Sequence, residues 1–183
     1  STSHFLEGLE RLEAPVSPDF AVLNERHVYR AAGADWEPDA GWNSECDRIH
    51  AELSHRVRVD LEKALRALPF FDDMVVVREH GTIAGIVTPD EATMDKAASA
   101  LDALREPHPD FDYQRNAVYL RFSHRAYTKG SALGRVAGEL RIPRNRILAI
   151  GDNHNDRPML DGTFAFPACP ANSIPEIKAL VQG

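Results

Sequence analysis

Apolar residues recur every three or four positions over 43–68, where Cys46, Ile49, Leu53, Val57, Leu61, Leu65 and Leu68 would share one face of a long helix. Trp42 opens that face and Pro69 ends it. The same spacing in Met94, Ala97, Ala98, Leu101 and Leu104 predicts a second helix over 91–104, closed by Pro107 and Pro109. Elsewhere the pattern becomes strand-like, at 74–78 and 82–87 around a Glu79-His80-Gly81 turn, and again at 111–114 and 117–122. Residues 42–123 are therefore expected to form an αββαββ unit, with helices on one face of an antiparallel sheet.

The flanking segments follow a different pattern. Ser1 and Thr2 are suited to capping a short opening helix that carries Phe5, Leu6, Leu9 and Leu12, and Pro15 and Pro18 end it. Residues 20–23 and 27–31 read as an edge hairpin around Asn24-Glu25-Arg26. The stretch 33–41, with Pro38 and two aspartates, has linker composition and marks a crossing between domains. From Lys129 onward the elements alternate: helix 130–140, buried strand 147–150, short helix 156–160, strand 163–166, helix 174–181. Short-linked alternation of this kind predicts an α/β core with a wound parallel sheet. The αββαββ unit would be inserted into that core, whose pieces are 1–41 and 124–183.

A chain of 183 residues with 43% hydrophobic content can bury a substantial core. Its net charge of −7 disfavours nucleic acid and acidic membrane surfaces as partners. Cys46 and Cys169 lie far apart without CxxC spacing, so neither a disulfide framework nor a thiolate zinc site is indicated. No apolar run approaches the roughly 20 residues that span a bilayer, and the first residues from Ser1 lack the basic-then-apolar layout of a signal peptide. A reducing cytoplasm is the expected location.

The chemistry concentrates in two places. Residues 146–156 form an apolar β-type run that ends in Gly151-Asp152-Asn153-His154-Asn155-Asp156. Ligands bind outside the carboxyl ends of strands in wound sheets, so Asp152 is placed to reach a cation. The cluster can equally be a polar turn that caps the next helix. Upstream, Tyr127-Thr128-Lys129-Gly130-Ser131-Ala132-Leu133 sets a lysine at a helix start, where an ammonium and free backbone N–H groups favour phosphate.

The two motifs in this order resemble the third and fourth motifs of the haloacid dehalogenase-like (HAD) superfamily of phosphatases. The apolar strand and Ala-Asn loop over 164–172 fit the same pattern, and Ser1-Thr2-Ser3-His4 is similar to the end of its second motif. The insertion resembles the α/β cap of the sugar-phosphatase branch that includes sucrose-phosphate, mannosyl-phosphoglycerate and Cof-type phosphatases. This resemblance implies a HAD-like, Rossmann-type wound core with a cap. It also implies a Mg2+-dependent phosphatase of a small phosphorylated metabolite, of the sugar-phosphate class. Asp152 and Asp156 would form the metal set, Asp152 holding Mg2+ and Asp156 fixing the loop together with Asn155. Lys129 would neutralise phosphate charge in catalysis, Thr2 would bond a phosphoryl oxygen with Ser1 and Ser3 as alternates, and Asn155 would contribute to phosphate binding.

The family's first motif, Asp-x-Asp, supplies a nucleophile that forms an aspartyl-phosphate and an acid/base that serves the leaving alcohol. Asp72-Asp73 and Asp110-Phe111-Asp112 lie within the insertion, so the nucleophile is expected upstream of Ser1. The 183 residues alone are then expected to be nearly inactive, and a homo-oligomer or a partner is expected to cover an incomplete sheet. The alternative is a non-catalytic HAD-like binding or interaction protein. Arg121, His124 and Arg125 are secondary candidates for a substrate anion. His50 and His55, five apart, miss the spacing of a helical zinc pair.

Overall fold

The computed structural model describes Gly8, residues 17–79 and residues 81–183. The opening helix, Thr2, its alternates Ser1 and Ser3, and His80 lie outside the described residues.

Strands β1 (Phe20–Leu23), β2 (His27–Ala32) and β3 (Asp35–Pro38) form an antiparallel sheet in the order β1-β2-β3. The third strand corrects the expected linker at 33–41. Gly33, in the left-handed region at φ +66°, turns the chain tightly enough for Asp35 to pair with Ala32. Proline at 38 is tolerated because β3 is an edge strand.

Helix α1 (Ala40–Arg66) starts three residues earlier than the apolar periodicity does, since Asp39 caps it by accepting from the Trp42 N–H at 3.1 Å. Asn43, buried in its first turn, accepts from Val28 N–H at 2.8 Å and donates to Val28 carbonyl oxygen at 2.9 Å. The helix start is thereby fixed to β2.

Next come β4 (Val75–Glu79), β5 (Thr82–Val87), α2 (Glu91–Leu101), β6 (Phe111–Asn116) and β7 (Tyr119–His124). The strands pair antiparallel in the order β4-β5-β7-β6. Leu53, Val57, Leu61 and Leu65 of α1 and Met94, Ala97 and Leu101 of α2 form one buried cluster with Ile83, Ile86, Phe111 and Leu120 of the sheet. The helical period called for this face, and the αββαββ order is as expected. The bounds differ in detail: α2 gives way to a 3₁₀ turn at Asp102–Arg105, β6 ends two residues later, and β4 and β7 are shifted along the chain by one and two residues.

The last part comprises α3 (Lys129–Glu139), β8 (Leu148–Ile150), α4 (Arg157–Leu160), β9 (Phe166–Ala168) and α5 (Pro175–Gln182). Strands β8 and β9 pair in parallel, as the alternation predicts, although β9 lies further along the chain than 163–166. Strand β8 was expected to be buried. Instead only Ala149 is, against Leu160, Ala165 and Ile177, while Leu148 and Ile150 are 64% and 60% exposed. In a strand, alternate side chains face opposite sides, and among the described residues only one side carries a packed layer. Helix α3 leans on β1 and β2, held by ion pairs from Arg135 to Asp39 at 2.7 Å and from Arg30 to Glu139. Among the described residues no helix is long and apolar enough to cross a membrane.

Candidate functional site

Two glycines bring the predicted motifs together. A Cβ on Gly130, in the first turn of α3, would lie 2.0 Å from the Pro158 carbonyl oxygen, so α3 can approach α4 only without a side chain there. A Cβ on Gly151 would lie 2.4 Å from the Asp156 Cβ. The chain leaving β8 therefore folds back so that Asp156 faces it. Thr128 caps α3 in a reciprocal pair with Ser131, which fixes the backbone carrying Lys129.

Lys129 Nζ donates to Asp156 Oδ1 at 2.7 Å. The other oxygen of Asp156 accepts the N–H groups of Asp152 at 2.9 Å and Asn153 at 3.3 Å. Burial pushes the Asp156 pKa up, but the Lys129 bond and charge and the two backbone donors outweigh it and hold the carboxyl below its ordinary range. Asp156, expected in the metal set, thus has both oxygens engaged in fixing the loop and the lysine. Asp152 differs, since its carboxylate is exposed and makes no hydrogen bond or ion pair among the described residues.

A residue that sequence reasoning passed over completes the cluster. Glu25, in the turn between β1 and β2, lies with Oε2 3.5 Å from Lys129 Nζ and accepts at Oε1 from Asn155 Nδ2 at 3.2 Å. Asn155 is buried beneath it. Both Asn24 and Glu25 hold left-handed backbone, at φ +51° and +66°. Asparagine accepts that conformation readily, whereas glutamate there is unusual. The signal available in the sequence was a charged residue where the turn invites glycine. Lys129 is thereby held between two carboxylates, with Asp152 one loop away.

On the far side of the same turn lies a cleft of about 560 Å³ between α1, the β4–β5 hairpin and β7. Arg26, His27, Asp47, His50, Arg121 and Ser123 line it. His50 Nδ1 donates to the Cys46 carbonyl at 2.7 Å, and its Nε2 accepts the His124 N–H at 3.1 Å. Burial first, then the Arg26 charge, pushes the His50 pKa down to about 3, so this ring is neutral, and with both nitrogens in hydrogen bonds it offers neither to a metal. Arg121 pairs with Glu79 at 2.6 Å. The other secondary candidates face away: His124 lies 3.8 Å from Asp110, and Arg125 donates to the Pro109 carbonyl at 3.1 Å.

No group of three His, Cys, Asp or Glu residues able to hold a metal occurs among the described residues. Mg2+, however, commonly takes one or two carboxylates plus waters and phosphate oxygens. The exposed Asp152 carboxylate, one loop from an ammonium, fits that habit.

Residues 77–182 match the model of the haloacid dehalogenase-like hydrolase family. Over 89 residues the chain is 35% identical to a phosphoglycolate phosphatase of Methanothrix thermoacetophila, a match that takes in 49% of this chain and 38% of that protein. The fold resembles a sucrose-phosphatase of Synechocystis sp., solved with sucrose and phosphate, at a TM-score of 0.71 and 15% identity over 100% of this chain and 70% of that one. It also resembles an IMP-nucleotidase of Plasmodium falciparum solved with IMP, at a TM-score of 0.62 and 14% identity over 99% of this chain and 52% of that one. With more than half its length matched and the α/β fold shared, the chain belongs to the haloacid dehalogenase-like hydrolases.

Proposed function

We propose that these residues form the phosphate-binding half of a Mg2+-dependent phosphatase acting on a small phosphorylated metabolite of the sugar-phosphate class. The observation that carries this reading is the Lys129 ammonium, fixed by Asp156 at 2.7 Å at the first turn of α3 and one loop from the exposed Asp152. Lys129 would neutralise charge on the phosphoryl group, and the free N–H groups of the α3 start would add to that field. Asn155 would steady the phosphate side of the loop, with Thr2 as a further phosphoryl contact. Asp152 would hold Mg2+, which when bound would offset phosphoryl charge.

The attacking carboxylate would come from a strand preceding Ser1 and pairing with β8. The edge of β8 away from β9 supports this, because the strand forms only one pairing among the described residues and its unpaired backbone suits a neighbouring strand. In this reading the α1-to-β7 unit is the cap.

The test compares turnover of p-nitrophenyl phosphate with Mg2+ by the 183-residue chain and by a form extended upstream. The extended protein should turn over and the shorter one should not. Asp152→Ala and Lys129→Met in the extended protein should each lower kcat/KM by about 100-fold or more, in line with losing a transition-state charge contact. Full activity in the short chain would remove the upstream nucleophile, and full activity in Asp152→Ala would remove the metal assignment.

A further inference from the structure

The cleft behind the β1–β2 turn holds two polar atoms that the fold leaves unanswered. Arg26 is 8% exposed, yet its Nε has no hydrogen-bond partner among the described residues, and neither has Ser123 Oγ, at 3% exposure. Such groups are costly to bury without a partner. Alternation along β7 puts Ser123 and Arg121 on the face opposite Leu120, away from the apolar cluster.

The carboxylates nearby do not supply the missing partner. Asp47 accepts from His27 at 2.8 Å and lies 3.9 Å from Arg26 Nη2. Glu79 is bound by Arg121 at 2.6 Å, and among the described residues Arg26 Nη1 donates only to the Asn24 carbonyl, at 3.3 Å. Four arginines and three carboxylates line the cleft, a local positive excess in a protein whose net charge is −7. Burial, then repulsion from Arg121, lowers the Arg26 pKa, as expected of a cation short of an anion. One turn thus sends Glu25 to the lysine cluster and Arg26 into the cleft.

We propose that this cleft binds the alcohol half of the phosphorylated substrate, and that this half is a polyhydroxylated acid whose carboxylate is held by Arg26 and a hydroxyl of which bonds Ser123. The position of the phosphoryl group rests on the phosphatase reading, whereas the charge preference of the cleft does not. A volume of about 560 Å³ is in the range of small-metabolite sites.

Matched pairs that differ in that carboxylate test this. With the upstream-extended protein and Mg2+, kcat/KM for 6-phosphogluconate should exceed that for glucose 6-phosphate by roughly 10- to 100-fold, the range for a hydrogen bond to a charged group. Arg26→Gln should erase the preference; if that variant does not fold, Arg26→Lys, which keeps the charge but loses the planar fork that fits a carboxylate, should weaken it, whereas Ser123→Ala should weaken both partners alike. Calorimetric titration with gluconate and with glucose, without metal, gives a readout independent of turnover. Gluconate should bind and glucose should bind at least tenfold more weakly. Failure of both esters to turn over while gluconate still binds through Arg26 would count against the phosphatase reading and leave only the cleft's preference for a hydroxylated acid standing. Equal handling of acid and neutral partners by the wild-type protein, in turnover or in binding, would overturn the inference itself.

Discussion

Glu25 combines a strained backbone with a partnered side chain. Left-handed conformation costs a non-glycine residue about 1 kcal/mol, and glycine avoids that cost. The Glu25 carboxylate meanwhile holds Asn155 at 3.2 Å and faces Lys129 at 3.5 Å. Glu25→Ala would keep the strain and lose the contacts, while Glu25→Gly would lose both. Urea unfolding should therefore find Glu25→Ala about 1 kcal/mol less stable than Glu25→Gly, and equal stabilities would show that the turn carries no strain. Only part of this was legible in the sequence. Lys129, Asp152 and Asp156 announced themselves by motif order, but Asn155's partner could not, because it sits 130 positions away on a turn with no motif of its own.

Among elements, the approach of α3 to α4 is the tightest constraint on the site. Gly130→Ala would drive a methyl group into the Pro158 carbonyl, and overpacking of this kind typically costs 1–3 kcal/mol. Thermal unfolding should show that loss. A Gly130→Ala protein as stable as wild type would mean that α3 can withdraw from α4 freely. Periodicity revealed the helices because their buried faces repeat every turn, as Leu53, Val57, Leu61 and Leu65 do in α1. It missed β3 because Asp35–Pro38 is an exposed edge strand with no apolar alternation, recognisable only through Gly33 and its pairing with β2. Strand β8 was found but misjudged, since apolar content alone cannot tell how many sides are covered.

Over the whole molecule, several partly buried histidine rings share one response to acid. Burial lowers the pKa of His27, His50, His124 and His154, and positive neighbours such as Arg26 reinforce this at His50. The unfolded chain therefore binds more protons than the folded one below about pH 6.5. Stability should be full above that pH and decline as it falls toward about 3, with His50 alone contributing at most about 1.4 kcal/mol per pH unit. Urea midpoints at several pH values should show this slope, and His50→Gln should flatten it. A slope unchanged in that variant would mean that the ring already charges in the folded protein.

The rings of Trp42 and Tyr127 pack at 5.3 Å, and His50 receives the backbone N–H of His124 at 3.1 Å. The start of α1 and the end of β7 are therefore clasped together. Joining the β1–β3 sheet to α3 through a slack loop of some eighty residues would carry a large closure entropy. A helix–sheet unit whose own folding brings Trp42 and Tyr127 together removes most of that cost beforehand. The completed helix–sheet cluster built around Leu65 and Ile86 delivers Asp39 and Arg135 to one another already within reach.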